Sequence, residues 1–399
     1  MKKNNSKIIL IKKKSSKFKN YKFNKNKNKQ SKNKRNQKRP LFIIIAFSIK
    51  NKILFIFLLS LFLFLIIFFK YFTYHKLIWI KSLSDKEKKY NKFFFFEENQ
   101  DSLDYCKNYS IMVYDYCYNG VVSRYPGNIG DYIQSLAALQ YLPKNCKPYF
   151  IDRDSIQIYN GPKVNLIMNG WYFIIEGNKN VSTKINPIFL SYHINNSKKL
   201  PDNYINDLKK YSPIGCRDLQ TKDQLNKLGI NAFFSSCLTT TLDIDYAVKE
   251  SERNNEIIFI EYKFGQFPLA DKFILSLKSY NFSNITYTNH GFNNTELTHI
   301  DRFKLAKKLL DKYARAKLVV SKRLHGALPC LGFNTPVILV NKDYDFKRFP
   351  GLYELLNTIG KNSKRQFEIR VNVDSNGFVY NPKNYSEYAN FLKNKLKNI

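Results

Sequence analysis

Ser321, Lys322, Arg323 and His325 place four polar groups in five positions, directly after the apolar β-branched run 318–320. A second such run follows at 337–340, and the segment between them is too apolar for a surface loop. That pattern predicts buried strand, packed connection, buried strand. Ligands of open parallel sheets sit outside the carboxyl ends of the strands. Arg323 at such an end supplies a planar fork suited to a carboxylate or phosphate. His325, two positions on, is a candidate general acid, because imidazole titrates near neutrality. The plain alternative is a solvated loop whose histidine caps a neighbour. Two further clusters have chemistry in them. Gly127, Asn128, Ile129, Gly130 and Asp131 separate the strand-like 111–116 from an amphipathic run over 132–142. Such a turn can cradle a phosphate at a helix N-terminus, or can serve only as a tight turn. Arg217 is followed by Asp218 and by helical spacing to Leu228. It is either a ligand-binding cation or the partner in a first-turn ion pair, and Asp218 reads as the N-cap.

Arg323-Leu324-His325-Gly326 with Thr335-Pro336-Val337-Ile338, Gly127-Asn128-Ile129-Gly130-Asp131, and Pro213-Ile214-Gly215-Cys216-Arg217-Asp218 together resemble the polysaccharide pyruvyl transferase family. The three motifs run in family order from about residue 110 to about residue 350. The resemblance implies phosphoenolpyruvate as donor substrate, no separate cofactor, and a pyruvate ketal formed on two hydroxyls of a sugar, galactose first. It implies His325 as the catalytic residue, Arg217, Arg323 and Leu324 as donor contacts, and two Rossmann-like domains facing a cleft, in the glycosyltransferase-B-like manner. Asn128, Gly130 and Asp131 would border the donor or the acceptor, with Asp131 a candidate base for a sugar proton. A donor carrying both a carboxylate and a phosphate calls for two cations, which Arg217 and Arg323 fit as one from each half.

The net charge of +35 invites a nucleic-acid reading, and its distribution removes that reading. Of the 66 Lys and Arg, 19 lie in residues 1–52, which hold no Asp or Glu. That stretch reads as a disordered basic tail. Residues 53–69 are uncharged with one Ser, the short end of what spans a bilayer. With the basic block before it, the run reads as a type II signal anchor, its N-terminal side cytosolic and the rest across a Golgi or other secretory-pathway membrane. Tyr71, Phe72, Tyr74 and Trp79 fall where an interfacial aromatic belt would lie. All six cysteines and seven Asn-x-Ser/Thr sequons follow the anchor, consistent with an oxidising lumen and a glycoprotein. Neither a C-x-x-C pair nor a convincing Asp-x-Asp turn argues for a metal; Asp152/Asp154 and Asp243/Asp245 have only the letters.

The remaining pattern organises these pieces. Residues 70–105 read as a stem, 106–250 as an N-terminal Rossmann-like domain, and 251–399 as a C-terminal one holding the donor site. Strand-like runs occur at 164–168, 171–175, 188–192, 231–234 and 257–262. Helical spacing appears at 302–316, with Asp301 as N-cap, and at 385–396. His193, His290 and His299 read as ordinary core or surface histidines. Two other functions fit the same fold: a nucleotide-sugar glycosyltransferase, for which no ribose-holding carboxylate stands between His325 and Asp343, and a non-catalytic glycan-binding relative.

Overall fold

The computed structural model describes residues 70, 104–118, 121–122, 127–143, 146–173, 180–195, 200–242, 248, 250–293, 297–341, 349–361 and 366–397. The basic tail, the apolar run 53–69, nearly all of the stem, and Asp243 and Asp245 lie outside these residues. Among the described residues, no helix is long and apolar enough to cross a membrane.

The chain is a mixed α/β protein built on parallel sheets. In the first half the strands are ordered Lys147–Asp152, Tyr105–Val113, Val164–Ile167, Ile185–Ile188, all parallel. The expected strand at 188–192 is displaced toward the N-terminus, to Ile185–Ile188. Two short parallel strands, Ile214–Cys216 and Ala232–Phe234, stand beside it. The second half has six strands, ordered Ile285–Thr288, Ile257–Ile260, Leu318–Ser321, Val337–Asn341, Asn357–Lys361, Phe367–Arg370; only the last pairing is antiparallel.

Side chains alternate between the faces of a strand, so a sheet covered on both sides needs uninterrupted apolar runs. Ile258, Ile260, Val319, Val337 and Leu339 face the core that continues into the first half. Ile257, Phe259, Leu318, Val320, Ile338 and Val340 face a second core, with Tyr262, Ile274 and Tyr280. The helix His299–Arg315 begins one turn before the expected start. Thr298, not Asp301, is its N-cap; Asp301 sits at the third helical position and completes a reciprocal capping box. The last helix, Tyr385–Leu396, returns to the first half, where Phe391 meets Phe233 and Tyr388 meets Phe234 edge-on.

The packed connection after Ser321 is itself a helix, Leu324–Gly332, despite Pro329 within it. Proline there removes one backbone donor, which argues against helix on local grounds. Burial of almost the whole segment offsets that. The helix lies so close to the 3-10 turn Leu238–Thr241 that a Cβ on Gly332 would fall 2.0 Å from the Leu242 carbonyl oxygen. A disulfide joins Cys106 to Cys146, while Cys216, Cys237 and Cys330 are buried thiols.

Since the atom opposing Gly332 is backbone and cannot turn aside, Gly332→Ala should destabilise the fold by on the order of 3 kcal/mol. Urea unfolding checks this, and an unchanged midpoint would show that the helix does not sit this close.

Candidate active site

The glycine turn opens the helix Ile129–Leu139. Asn128 is its N-cap, accepting from the Gly130 N–H at 3.1 Å. Gly127–Asn128 pairs antiparallel with Gly291–Phe292, and the Ile129 N–H donates to the His290 carbonyl at 2.8 Å. These bonds sew the first half to the second. The helix Ile129–Leu139 also packs on His299–Arg315: Tyr132 meets Phe303 edge-on, and its hydroxyl lies 2.7 Å from His299 Nδ1. Arg302 donates to both the Tyr114 carbonyl and the Tyr132 hydroxyl.

Gly130 lies at the centre of this seam. A Cβ built on it would be 3.2 Å from His325 Cβ, 3.2 Å from His290 Nδ1 and 3.1 Å from Asn128 Oδ1. The first and third motifs are therefore in direct contact, with His290 beside them. The second motif reaches the same helix one turn on. Arg217, 2% exposed, donates from Nη1 to Gln134 Oε1 at 3.3 Å, while its Nε has no hydrogen-bond partner among the described residues.

Asp131 is buried on that helix. Its carboxylate faces the Tyr116 hydroxyl at 3.1 Å, Gln134 Nε2 at 3.3 Å and Asn128 Nδ2 at 3.4 Å. Burial raises its pKa above the ordinary carboxylate value, against the opposing pull of Arg153, the Tyr116 hydrogen bond and Arg217. Arg153 is engaged by both oxygens of Asp154 at 2.9 Å and stacks over Tyr114. Asp152 caps the following turn through the Asp154 N–H. The Asp152/Asp154 pair is thus occupied with structural contacts. Among the described residues, no three His, Cys, Asp or Glu are grouped to hold a metal.

The carboxyl ends of Ile257–Ile260, Ile285–Thr288 and Leu318–Ser321 open at one edge of the sheet, which brings Glu261, His290 and Arg323 together. Arg323 is the N-cap of the Leu324–Gly332 helix, and its backbone is fixed by two hydrogen bonds with Ser321 Oγ. Its Nε donates to Glu261 Oε2 at 2.6 Å, and its side chain is 46% exposed. His290 is fully enclosed, with Nε2 3.0 Å from the Tyr313 hydroxyl. Burial, reinforced by Arg323 and resisted by Glu261, lowers its pKa to about 4.

Of the residues expected from sequence, Asn128, Gly130, Asp131 and His325 gather at the seam. Arg217 joins them through Gln134, and Arg323 reaches the same region through Glu261 and His290. Leu324 is buried in the core at the first position of its helix. Asp218 does cap the helix Leu219–Lys227, accepting from the Thr221 N–H, and it also binds His193 Nδ1 at 2.5 Å. Sequence reasoning missed Gln134, Glu261 and His290. Glu261 follows the apolar run Ile257–Ile260 at a strand's carboxyl end, the same signal that singled out Arg323, whereas the strand before His290, Ile285–Thr288, is half threonine and carries no such run.

His290 remains neutral in the folded chain down to about pH 4, whereas the unfolded imidazole takes a proton near 6.5. The unfolded state then binds more protons in that window, so stability falls as pH drops through it. Between about pH 7 and about pH 4.5 His290 should contribute a loss on the order of 2 kcal/mol. Urea unfolding of wild type and His290→Gln at both pH values isolates it; equal losses in the two proteins would contradict the assignment.

The family model for polysaccharide pyruvyl transferase matches residues 128–344, which take in all three motifs but for Gly127. No curated protein matches the chain. A solved structure of a functional uncharacterized protein from Klebsiella pneumoniae subsp. pneumoniae is similar, at 18% identity over 64% of this chain and 93% of that one. Its TM-score of 0.37 is too low to bear on the fold. The family match spans more than half of the sequence: the chain belongs to the polysaccharide pyruvyl transferase family, enzymes that act on glycans.

Proposed function

We propose that the donor is phosphoenolpyruvate and that the product is a pyruvate ketal on a hydroxyl pair of a sugar, galactose being the first to test. His325 delivers a proton to the methylene carbon of the donor, which makes the adjacent carbon electrophilic. One sugar hydroxyl attacks that carbon, phosphate leaves, and the second hydroxyl closes the ketal. Of the two hydroxyl protons, one restores the imidazolium and the other leaves with phosphate. Arg217 and Arg323 receive the donor's anionic groups, Leu324 packs beside it, and Asn128, Gly130 and Asp131 border the reacting atoms.

The observation that carries this reading is the contact of Gly130 with His325, together with the tie of Arg217 to the same helix. It gathers an acid, a buried guanidinium and a glycine turn from three separated stretches. We read residues 106–250 and 251–399 as two lobes of a glycosyltransferase-B-like enzyme, with the parallel sheet of each half as support. We further place the catalytic part in the lumen of the Golgi or another secretory compartment, anchored by residues 53–69. The Cys106–Cys146 disulfide supports an oxidising compartment.

Full-length protein incubated with phosphoenolpyruvate and a β-galactoside should release phosphate and yield a pyruvylated sugar by mass spectrometry. His325→Ala should abolish both; phosphate release continuing at the wild-type rate in that variant would rule out the proton-transfer role. Arg217→Ala and Arg323→Ala should each weaken donor binding by about 1.5–3 kcal/mol, the range for hydrogen bonds to charged groups. Calorimetry showing undiminished binding in both variants would remove them from the donor site.

A further inference from the structure

Glu261 is held in an unusual way. It follows Ile260 at the carboxyl end of its strand with φ of 53°, in the left-handed region that a residue with a side chain enters at a cost. Two hydrogen bonds to neighbouring strands fix the backbone there: its N–H donates to the Thr288 carbonyl, and the Ile260 carbonyl accepts from Lys322. The carboxylate is mostly buried, and both oxygens are used. Oε2 accepts from Arg323 Nε at 2.6 Å and Oε1 from the His290 N–H at 3.3 Å. Burial alone would raise the Glu261 pKa, but the hydrogen bond and charge of Arg323 outweigh it and keep the carboxyl ionised.

The chemistry of the pair is in which nitrogen is bound. A guanidinium has five N–H groups, one on Nε and four on the two terminal nitrogens. Glu261 holds Arg323 from the side through Nε. Among the described residues the four terminal donors are left as a fork, on a side chain that is nearly half exposed. A strained glutamate that contributes no apolar packing, seated against an arginine at the start of the helix that carries His325, is hard to account for by stability, since glycine would suit that backbone better.

We propose that Glu261 is the positioning residue of the donor site: it orients Arg323 so that the terminal fork faces the donor's anionic group. The proposal rests on the phosphoenolpyruvate reading above and adds to it a residue that touches no substrate.

Removing the side chain separates positioning from stability, because Glu261→Gly relieves the backbone and deletes the carboxylate together. In the full-length protein, Glu261→Gly should melt at or above the wild-type temperature yet bind phosphoenolpyruvate about tenfold more weakly by calorimetry. Glu261→Gln, which keeps an acceptor and loses the charge, should fall between the two. In an Arg323→Lys background, with no Nε fork to orient, Glu261→Gly should change the donor Kd by less than about twofold. Wild-type binding with an unchanged Kd in Glu261→Gly overturns this inference alone, as does a loss of binding that only follows a lowered melting temperature. Absence of phosphoenolpyruvate binding by the wild type overturns the donor reading, and this inference with it.

Discussion

Gly130 has no side chain, and His290 and His325 stand at contact distance from where one would begin. That close approach is the constraint on which the arrangement depends. It lets the first turn of the Ile129–Leu139 helix press against the Leu324–Gly332 helix, while the short ladder from Gly127–Asn128 to Gly291–Phe292 fixes the register between the halves. A methyl group at Gly130 would crowd Asn128 Oδ1, His290 Nδ1 and His325 Cβ, each of which would have to give by a few tenths of an ångström. The polar groups of three separated motifs then lie along one helix and one sheet edge, without any motif being long enough to form a site alone.

The electrostatics follow from that geometry. Asp131 is buried, which is tolerable only because Tyr116, Asn128 and Gln134 satisfy its oxygens and two arginines stand near it. Arg153 is already matched by Asp154. Arg217 is not matched in the same way: among the described residues its side chain bonds a neutral amide, and its buried Nε has no partner there. At the other end of the seam, Glu261 neutralises Arg323 but occupies only one of its donors. The site therefore holds more cationic hydrogen-bonding capacity than its own carboxylates use, which is what the proposed anionic donor would draw on.

Much of this was legible in the amino-acid sequence, and the gaps have physical causes. The apolar runs 257–260, 318–320 and 337–340 are uninterrupted because both faces of their sheet are covered, and they stand out for that reason. The Leu324–Gly332 helix was not legible: its proline argues against helix, and only its packing on Leu238–Thr241 overrides that. The start of the His299–Arg315 helix was misplaced because Asp301 and Thr298 are both good capping residues three positions apart, and their reciprocal box assigns the roles. Gln134, Glu261 and His290 join the site through tertiary contact. His290 in particular reads as an ordinary core histidine until Gly130 is placed beside it.

The central claim is that Arg217, Arg323 and His325 serve one small dianion, and a crystal structure of the protein soaked with phosphoenolpyruvate tests it most directly. The account predicts the donor's carboxylate and phosphate within hydrogen-bonding distance of the two guanidinium groups, with its methylene carbon against the His325 ring. A donor bound elsewhere, or one that contacts only a single arginine and turns its methylene away from His325, would contradict it.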